Sequence, residues 1–273
     1  MNNIRPAQVA GYFYPSDPEK LKKEISLLLD ITKPKTKIDK IFGIVSPHAG
    51  YVYSGKTAAH AYNLLVGKKF KRVVIISPSH SEYFPGICVF EGDAYETPLG
   101  ILEVDREFRE KLETDDSTIF RGYEGHQREH ALEVQLPFLQ SVLQNFKIVP
   151  VVMGNQSTHN IDTLAKKLAE VADDETLIVA SSDLSHFYDR KHADKLDSIV
   201  EKRVSEFDFE SLQKDLETRN CEACGGGPIV ALMKAAKLKN INHSMVLDRT
   251  DSGDVTGDTN EVVGYLSAVV YGD

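Results

Sequence analysis

Three stretches of this chain run as uninterrupted apolar segments and then break into serine and histidine. Ile41-Phe42-Gly43-Ile44-Val45 leads into Ser46-Pro47-His48, and Val73-Val74-Ile75-Ile76 leads into Ser77-Pro78-Ser79-His80. Leu177-Ile178-Val179-Ala180 leads into Ser181-Ser182-Asp183-Leu184-Ser185-His186. A strand with one wet face alternates apolar and polar residues, whereas a run that is apolar at every position has both faces covered. Such runs, separated by helical patterns, describe a largely parallel sheet between helices. Ligands of open α/β sheets bind beyond the carboxyl ends of the strands. The three histidines fall there. Any one of them could be an ordinary loop histidine bonded to a carbonyl, but three of nine in the same relation to a strand end argue for a shared polar site.

The rest of the pattern fits that frame. Helical spacing runs from Pro18 to Leu29 with Asp17 as N-cap, and from Ser54 to Val66 with Gly67 as the stop. Between them, Lys33 to Lys40 is a basic connection. Gly86 to Phe90 and Gly100 to Val104 read as an antiparallel excursion, and Lys147 to Val152 as a further strand. Glu129 to Leu143 is one long amphipathic helix that Pro137 should kink or split. Helices are expected over 162–171, 190–204 and 228–238, the last with Pro at its first position. Two β-rich runs, 244–248 and 262–271, close the chain. The class is α/β, a single domain over 1–273 with a mixed, largely parallel central sheet flanked by helices and extra strands at one edge.

The 273 residues contain no linker-like or low-complexity tract that would mark a boundary. A net charge of -9 argues against nucleic acid and anionic membrane, which require basic patches. No apolar run approaches the roughly 18 residues of a membrane span, and Met1 to Pro6 lacks the apolar core of a signal peptide. Three cysteines, an odd number, suit a reducing cytosol, so a cytoplasmic location is expected.

Four local motifs compete for attention. Gly50 to Thr57 satisfies the P-loop expression Gly-x-x-x-x-Gly-Lys-Thr. However, Tyr51, Val52 and Tyr53 crowd a loop that must wrap phosphate, so a chance match is favoured over a P-loop NTPase. His126-Gln127-Arg128-Glu129-His130 fits the inverted zinc-peptidase pattern, but His126 follows a turn and should precede the helix that the chemistry needs. Cys221-Glu222-Ala223-Cys224 could be a redox pair or half of a zinc knuckle, although only Cys88 remains for a second pair. Cys224 precedes Gly225-Gly226-Gly227-Pro228 and a helix whose dipole favours thiolate, although a small buried apolar cysteine is the commoner situation. Asp248 to Asp254 has the acidic content of a calcium loop without EF-hand spacing, and reads as an acidic turn.

Five segments together resemble the Memo (mediator of cell motility) family: Pro47 to Tyr51, Pro78 to His80, Glu129 to Glu133, Ser181 to His186 and Cys224 to Ile229. Their order and spacing match over nearly the whole chain. The resemblance implies a fold related to class III extradiol dioxygenases, with a site at one end of a mixed sheet. It points to His48, His80 and Cys224 as metal residues, with Asp183 and His186 beside them, and to Phe13 and Tyr53 as aromatic residues lining the cleft. Two imidazoles and a thiolate leave positions open for water or substrate, as catalytic sites require. Cys224 stands where the related dioxygenases have a carboxylate, and the softer donor favours copper, zinc or thiol-tolerant iron. The leading expectation is a redox or oxygenase-like metalloprotein. In it His186 is general acid/base, Asp183 tunes His186, and His130 donates to a bound anion or oxygen species. The alternative is a non-catalytic module for a phosphorylated or anionic peptide. Expected partners are a small molecule or such a peptide, with homo-oligomerisation allowed.

Overall fold

A computed structural model describes residues 3–34 and 36–273; Lys35 of the expected basic connection, like Met1 and Asn2, lies outside them. In chain order the elements begin β1 (Ile4–Arg5), α1 (Pro18–Ile31), β2 (Lys40–Ser46), α2 (Tyr51–Asn63), β3 (Arg72–Pro78), β4 (Ile87–Phe90), β5 (Ala94–Thr97) and β6 (Gly100–Glu103). They continue α3 (Arg106–Leu112), β7 (Ile119–Gly122), α4 (His130–Glu133), α5 (Gln135–Val142), β8 (Lys147–Met153), α6 (Thr158–Val171), β9 (Thr176–Ser181) and β10 (His186–Tyr188). The chain ends with α7 (Arg190–Ser205), α8 (Phe209–Glu217), α9 (Gly226–Leu238), β11 (His243–Asp251), α10 (Gly253–Thr256) and β12 (Val262–Gly272).

Among the described residues the large sheet has nine strands, ordered β10-β12-β2-β9-β3-β8-β4-β7, with β11 beside β12. Its centre, β2-β9-β3-β8, is parallel. β12 joins β2 antiparallel, and β4 joins β8 antiparallel. The sheet is therefore mixed with a parallel heart, and it is not closed.

The apolar runs are explained by the two faces. Val73 and Ile75 of β3 join a core under α1, α2 and α5, while Val74 and Ile76 join the opposite core under α6 and α9. Each fully buried side chain of this kind contributes about 1.5–3 kcal/mol. Gly43 interrupts β2 for the same reason: a Cβ there would stand 2.5 Å from Leu232 Cδ1 of α9 and 2.7 Å from the Ile178 carbonyl oxygen.

Several boundaries moved. The expected excursion splits, because β4 belongs to the large sheet and β6 to a separate three-stranded sheet with β5 and β1. The helix expected over 129–143 breaks at Val134 into α4 and α5; Pro137 has no N–H to donate to the Glu133 carbonyl. Asp248 to Asp251 continue β11 rather than turning. Asp17 caps α1 as expected, accepting from Lys20 N–H at 2.8 Å.

The P-loop reading fails on geometry. Gly50 is the N-cap of α2 and Tyr51 to Thr57 are helical; Tyr51 N–H donates to the Phe13 carbonyl and the N–H groups of Tyr53 and Ser54 to that of Gly50, so they form no loop around a phosphate. The Thr57 hydroxyl lies 2.9 Å from Asp248 Oδ2 and 2.8 Å from Thr250 Oγ1. Gly55 serves packing: a Cβ there would meet Leu28 Cδ1 of α1 at 2.9 Å.

Candidate metal centre

Three neighbouring strands, β2, β9 and β3, deliver His48, Asp183 and His80 from their carboxyl ends to one place. Cys224 arrives from the other direction, two residues ahead of α9. Its loop can press against the end of β9 because residue 225 is glycine; a Cβ would collide with the Ser181 carbonyl oxygen. One ligand atom each from His48, His80 and Cys224 lies within 4.8 Å of the others. An ion about 2.0–2.3 Å from nitrogen and sulfur needs donors grouped on this scale.

Hydrogen-bond accounting fixes which atoms are free. The Ser181 hydroxyl has one proton, which goes to the Ala131 carbonyl at 2.7 Å. Gln135 Nε2 donates to Ser181 Oγ at 2.8 Å, and its own orientation is set by the Pro47 carbonyl at 3.0 Å. His48 Nδ1, 2.8 Å from the same hydroxyl oxygen, must then be the donor. The Nε2 lone pair of His48 is thereby turned to Cys224 Sγ, 3.1 Å away. His80 is held by a charge instead. Its Nδ1 lies 2.8 Å from Glu129 Oε1, and its main-chain N–H donates to Glu129 Oε2 at 2.7 Å. Both imidazoles therefore have Nδ1 engaged and Nε2 free, the arrangement of metal-binding histidines with an oriented ring.

The electrostatics agree. His48 is 1 % exposed, and burial, followed by neighbouring His80, His130 and His186, holds its pKa well below the usual value, so it keeps a lone pair. Burial also pulls on His80, but the Glu129 hydrogen bond and charge outweigh it and the net shift is upward. Glu129 sits below the usual carboxylate range because the ring and N–H of His80 outweigh its burial. Burial pushes the Asp183 carboxyl up to about 7 even though it accepts the His48 N–H. The Cys224 thiol is raised by burial and then by Asp183. This reverses the expected helix-dipole effect. Gly225 N–H donates to Ser182 Oγ and Gly227 N–H to Gln156 Oε1, and what the Gly225 N–H still lends the sulfur is outweighed by burial and by Asp183. Buried in this way the thiol keeps its proton unless a cation stands beside it.

The remaining expected residues surround this group. The His130 ring is 4.7 Å from that of His80 and 5.6 Å from that of His48, with Phe13 against it at 4.8 Å. Tyr53, half exposed, lies on the first turn of α2 near Gly50. Asp183 turns to His48, accepting its main-chain N–H at 2.7 Å, with Oδ2 3.9 Å from Nε2; the contact is to His48 rather than to His186. His186 opens β10 and lines a cavity of about 480 Å³ with Cys224, Leu184, Gln156 and Glu222. Glu129, Ser181 and Gln135 received no role from the sequence. In the sequence Glu129 stands in the His-x-x-Glu-His pattern and at the start of the segment Glu129 to Glu133, with nothing to show that it holds a histidine. It does cap α4, accepting the Ala131 N–H at 2.9 Å, while also holding His80.

The peptidase pattern itself dissolves. His126 is buried ahead of α4, its Nδ1 2.8 Å from Tyr95 Oη and its Nε2 3.1 Å from the Cys88 carbonyl. Neither nitrogen is left for a metal. Cys221 is buried, its thiol pushed up to about 12 by burial, and all three cysteines are free thiols.

Comparison with known proteins agrees with the motifs. The family model described as Memo-like protein matches residues 5–269. A MEMO1 family protein of Methanobrevibacter smithii is 37% identical over 279 residues, covering 97% of this chain and 99% of its own. One from Aquifex aeolicus is 39% identical over 268 residues, 97% and 98% of the two chains. A third, from Methanocaldococcus jannaschii, is 37% identical over 287 residues, 99% of this chain and all of its own. With the match running nearly end to end, the chain belongs to the Memo family.

Proposed function

We propose that the chain is a metal-binding protein in which His48, His80 and Cys224 hold one ion, and that it acts on a small substrate by redox or oxygenase-like chemistry. The observation that carries this reading is the convergence of one ring nitrogen each from His48 and His80 with the Cys224 Sγ within 4.8 Å, each imidazole oriented by a separate buried partner. The donor set suits iron, copper or zinc. A bound ion would supply Lewis acidity or electron exchange at a position the three ligands leave open. The chain's own residues would do the rest. His186, in the wall of the 480 Å³ cavity, is placed to move a proton to or from a substrate seated beside Cys224. His130, its ring beside those of His80 and His48, would donate to an anionic substrate atom, while Phe13 packs against it. Asp183, buried and half-protonated near neutrality, would hold a proton beside His48.

The test is metal content. Protein purified without chelator should carry close to one ion per chain, and His48→Ala and Cys224→Ser should carry almost none. Unchanged stoichiometry in both variants would remove the site assignment.

A second reading, a non-catalytic module for an anionic peptide, draws on the half-exposed Tyr53 and the cluster of three imidazoles, His48, His80 and His130. It expects metal-independent peptide binding that Tyr53→Ala disrupts. The three free thiols support a reducing compartment such as the cytoplasm. Among the described residues no helix is long and apolar enough to cross a membrane.

A further inference from the structure

We infer that Arg5 is a positioning residue of the metal centre: it holds the main chain at His126 and Glu129 in the place from which the Glu129 carboxylate orients His80. The inference rests on the metal-site reading above and concerns a residue to which no motif gave a role. Glu129 reaches from the start of α4 to the end of β3, where it accepts the His80 main-chain N–H at 2.7 Å and lies 2.8 Å from His80 Nδ1. A carboxylate can fix a ring only if its own main chain is fixed. The stretch that carries Glu129 has little regular structure of its own. α4 is four residues long and begins only at His130, and Gln127 and Arg128 ahead of it are exposed. The bond from the Glu129 N–H to the His126 carbonyl is long, at 3.5 Å.

Arg5 supplies the missing constraint. It belongs to β1 and is 5 % exposed. Its Nε donates to the His126 carbonyl at 2.6 Å and its Nη2 to the Glu129 carbonyl at 2.8 Å, so one rigid plane spans both ends of the irregular stretch. Nη1 donates to Glu133 Oε2 at 2.6 Å, one turn further along. The guanidinium is itself held in place. Its carbon stands 4.8 Å from the centre of the Tyr95 ring. The Glu133 carboxylate, which balances its charge, also accepts the N–H groups of Gln8 and Val9 and the Tyr14 hydroxyl. Lysine would keep the positive charge, but a single ammonium on a flexible stem has no planar fork to bridge the two carbonyls and the carboxylate.

The experiment titrates Co(II), whose visible spectrum reports its ligand geometry, into full-length wild type, Arg5→Lys, Tyr14→Phe and Cys224→Ser, and follows urea unfolding of each metal-free protein. Arg5→Lys should bind Co(II) about tenfold more weakly, the low end for loss of an outer partner, with altered visible bands because His80 is no longer held in one orientation. Tyr14→Phe removes a buried hydrogen bond from the same Glu133 and should lower stability, while affinity and bands stay as in wild type. That contrast separates positioning from a general loosening of the N-terminal segment. If Arg5→Lys does not fold by itself, it is titrated beside wild type in trimethylamine N-oxide, an osmolyte that favours the folded state. Unchanged affinity and bands in Arg5→Lys, or equal losses in Arg5→Lys and Tyr14→Phe, would overturn the inference. Failure of the underlying reading looks different: wild type would take up no Co(II), or Cys224→Ser would bind it as wild type does, and the inference would fall with that reading.

Discussion

His48 and His126 are both fully buried histidines, yet one faces a candidate metal position and the other is sealed into structure. The difference lies in what each nitrogen touches. His126 has a partner on both sides, Tyr95 Oη at Nδ1 and the Cys88 carbonyl at Nε2. His48 has Ser181 Oγ on Nδ1, while its Nε2 faces another candidate ligand, Cys224 Sγ, at 3.1 Å, with Asp183 Oδ2 at 3.9 Å. Burial lowers the pKa of both, His126 to about 3. Burial and pKa therefore do not separate a ligand from a structural histidine; hydrogen-bond accounting does.

The strongest way to break this comparison is to remove each ring. His48→Ala should weaken metal binding by more than the about 10–100-fold that losing an outer partner costs, with readout by chelator competition. His126→Ala should leave metal stoichiometry near wild type. It should instead lower the unfolding free energy of metal-free protein by about 2–4 kcal/mol, because Tyr95 Oη and a buried carbonyl lose their partner. Urea unfolding measures the second effect. Metal loss in His126→Ala with stability intact would dissolve the distinction.

Acid provides a sharper test of His126. A histidine whose pKa falls from about 6.5 unfolded to about 3 folded contributes stability that is complete above pH 6.5. That contribution is lost as pH drops from there toward 3. Replacing it by Gln should reduce the acid slope of stability by up to one proton, about 1.4 kcal/mol per pH unit. Parallel denaturation curves at pH 7, 6, 5 and 4 for metal-free wild type and His126→Gln check this. Identical slopes would mean that His126 is charged in the fold.

The smallest expected effect concerns how His48 is held. Ser181→Ala removes the hydroxyl that receives Nδ1–H and leaves the ring free to adopt the other tautomer. Metal affinity should fall about tenfold, the low end for an outer partner, while Ser181→Thr should retain most of it. An unchanged affinity in Ser181→Ala would show that the lone pair of His48 is fixed by something other than this network.

Much of this architecture was legible in the chain. Runs such as Val73 to Ile76 are apolar at every position because helices cover both faces of the sheet, and this local pattern revealed the parallel centre. The cap at Asp17 was equally local. The pairing of β4 and the separate β1-β5-β6 sheet were not legible, because short strands carry little periodicity and their partners are distant in sequence. The role of Glu129 was hidden for a similar reason. Its spacing fits a peptidase motif, and only the approach of His80, 49 residues away, shows what its oxygens hold.

What the sequence determined by itself is that His48, His80 and Asp183 stand at strand ends, since strand identity depends on neighbours a few residues apart. Tertiary structure alone decided that β2, β9 and β3 lie side by side, so that those ends meet, and that the loop before α9 brings Cys224 against His48 from 176 residues away. It also decided which nitrogen of each histidine is free. That assignment depends on where Ser181, Gln135 and Glu129 sit in space, because a proton can be placed only by counting every donor and acceptor around it.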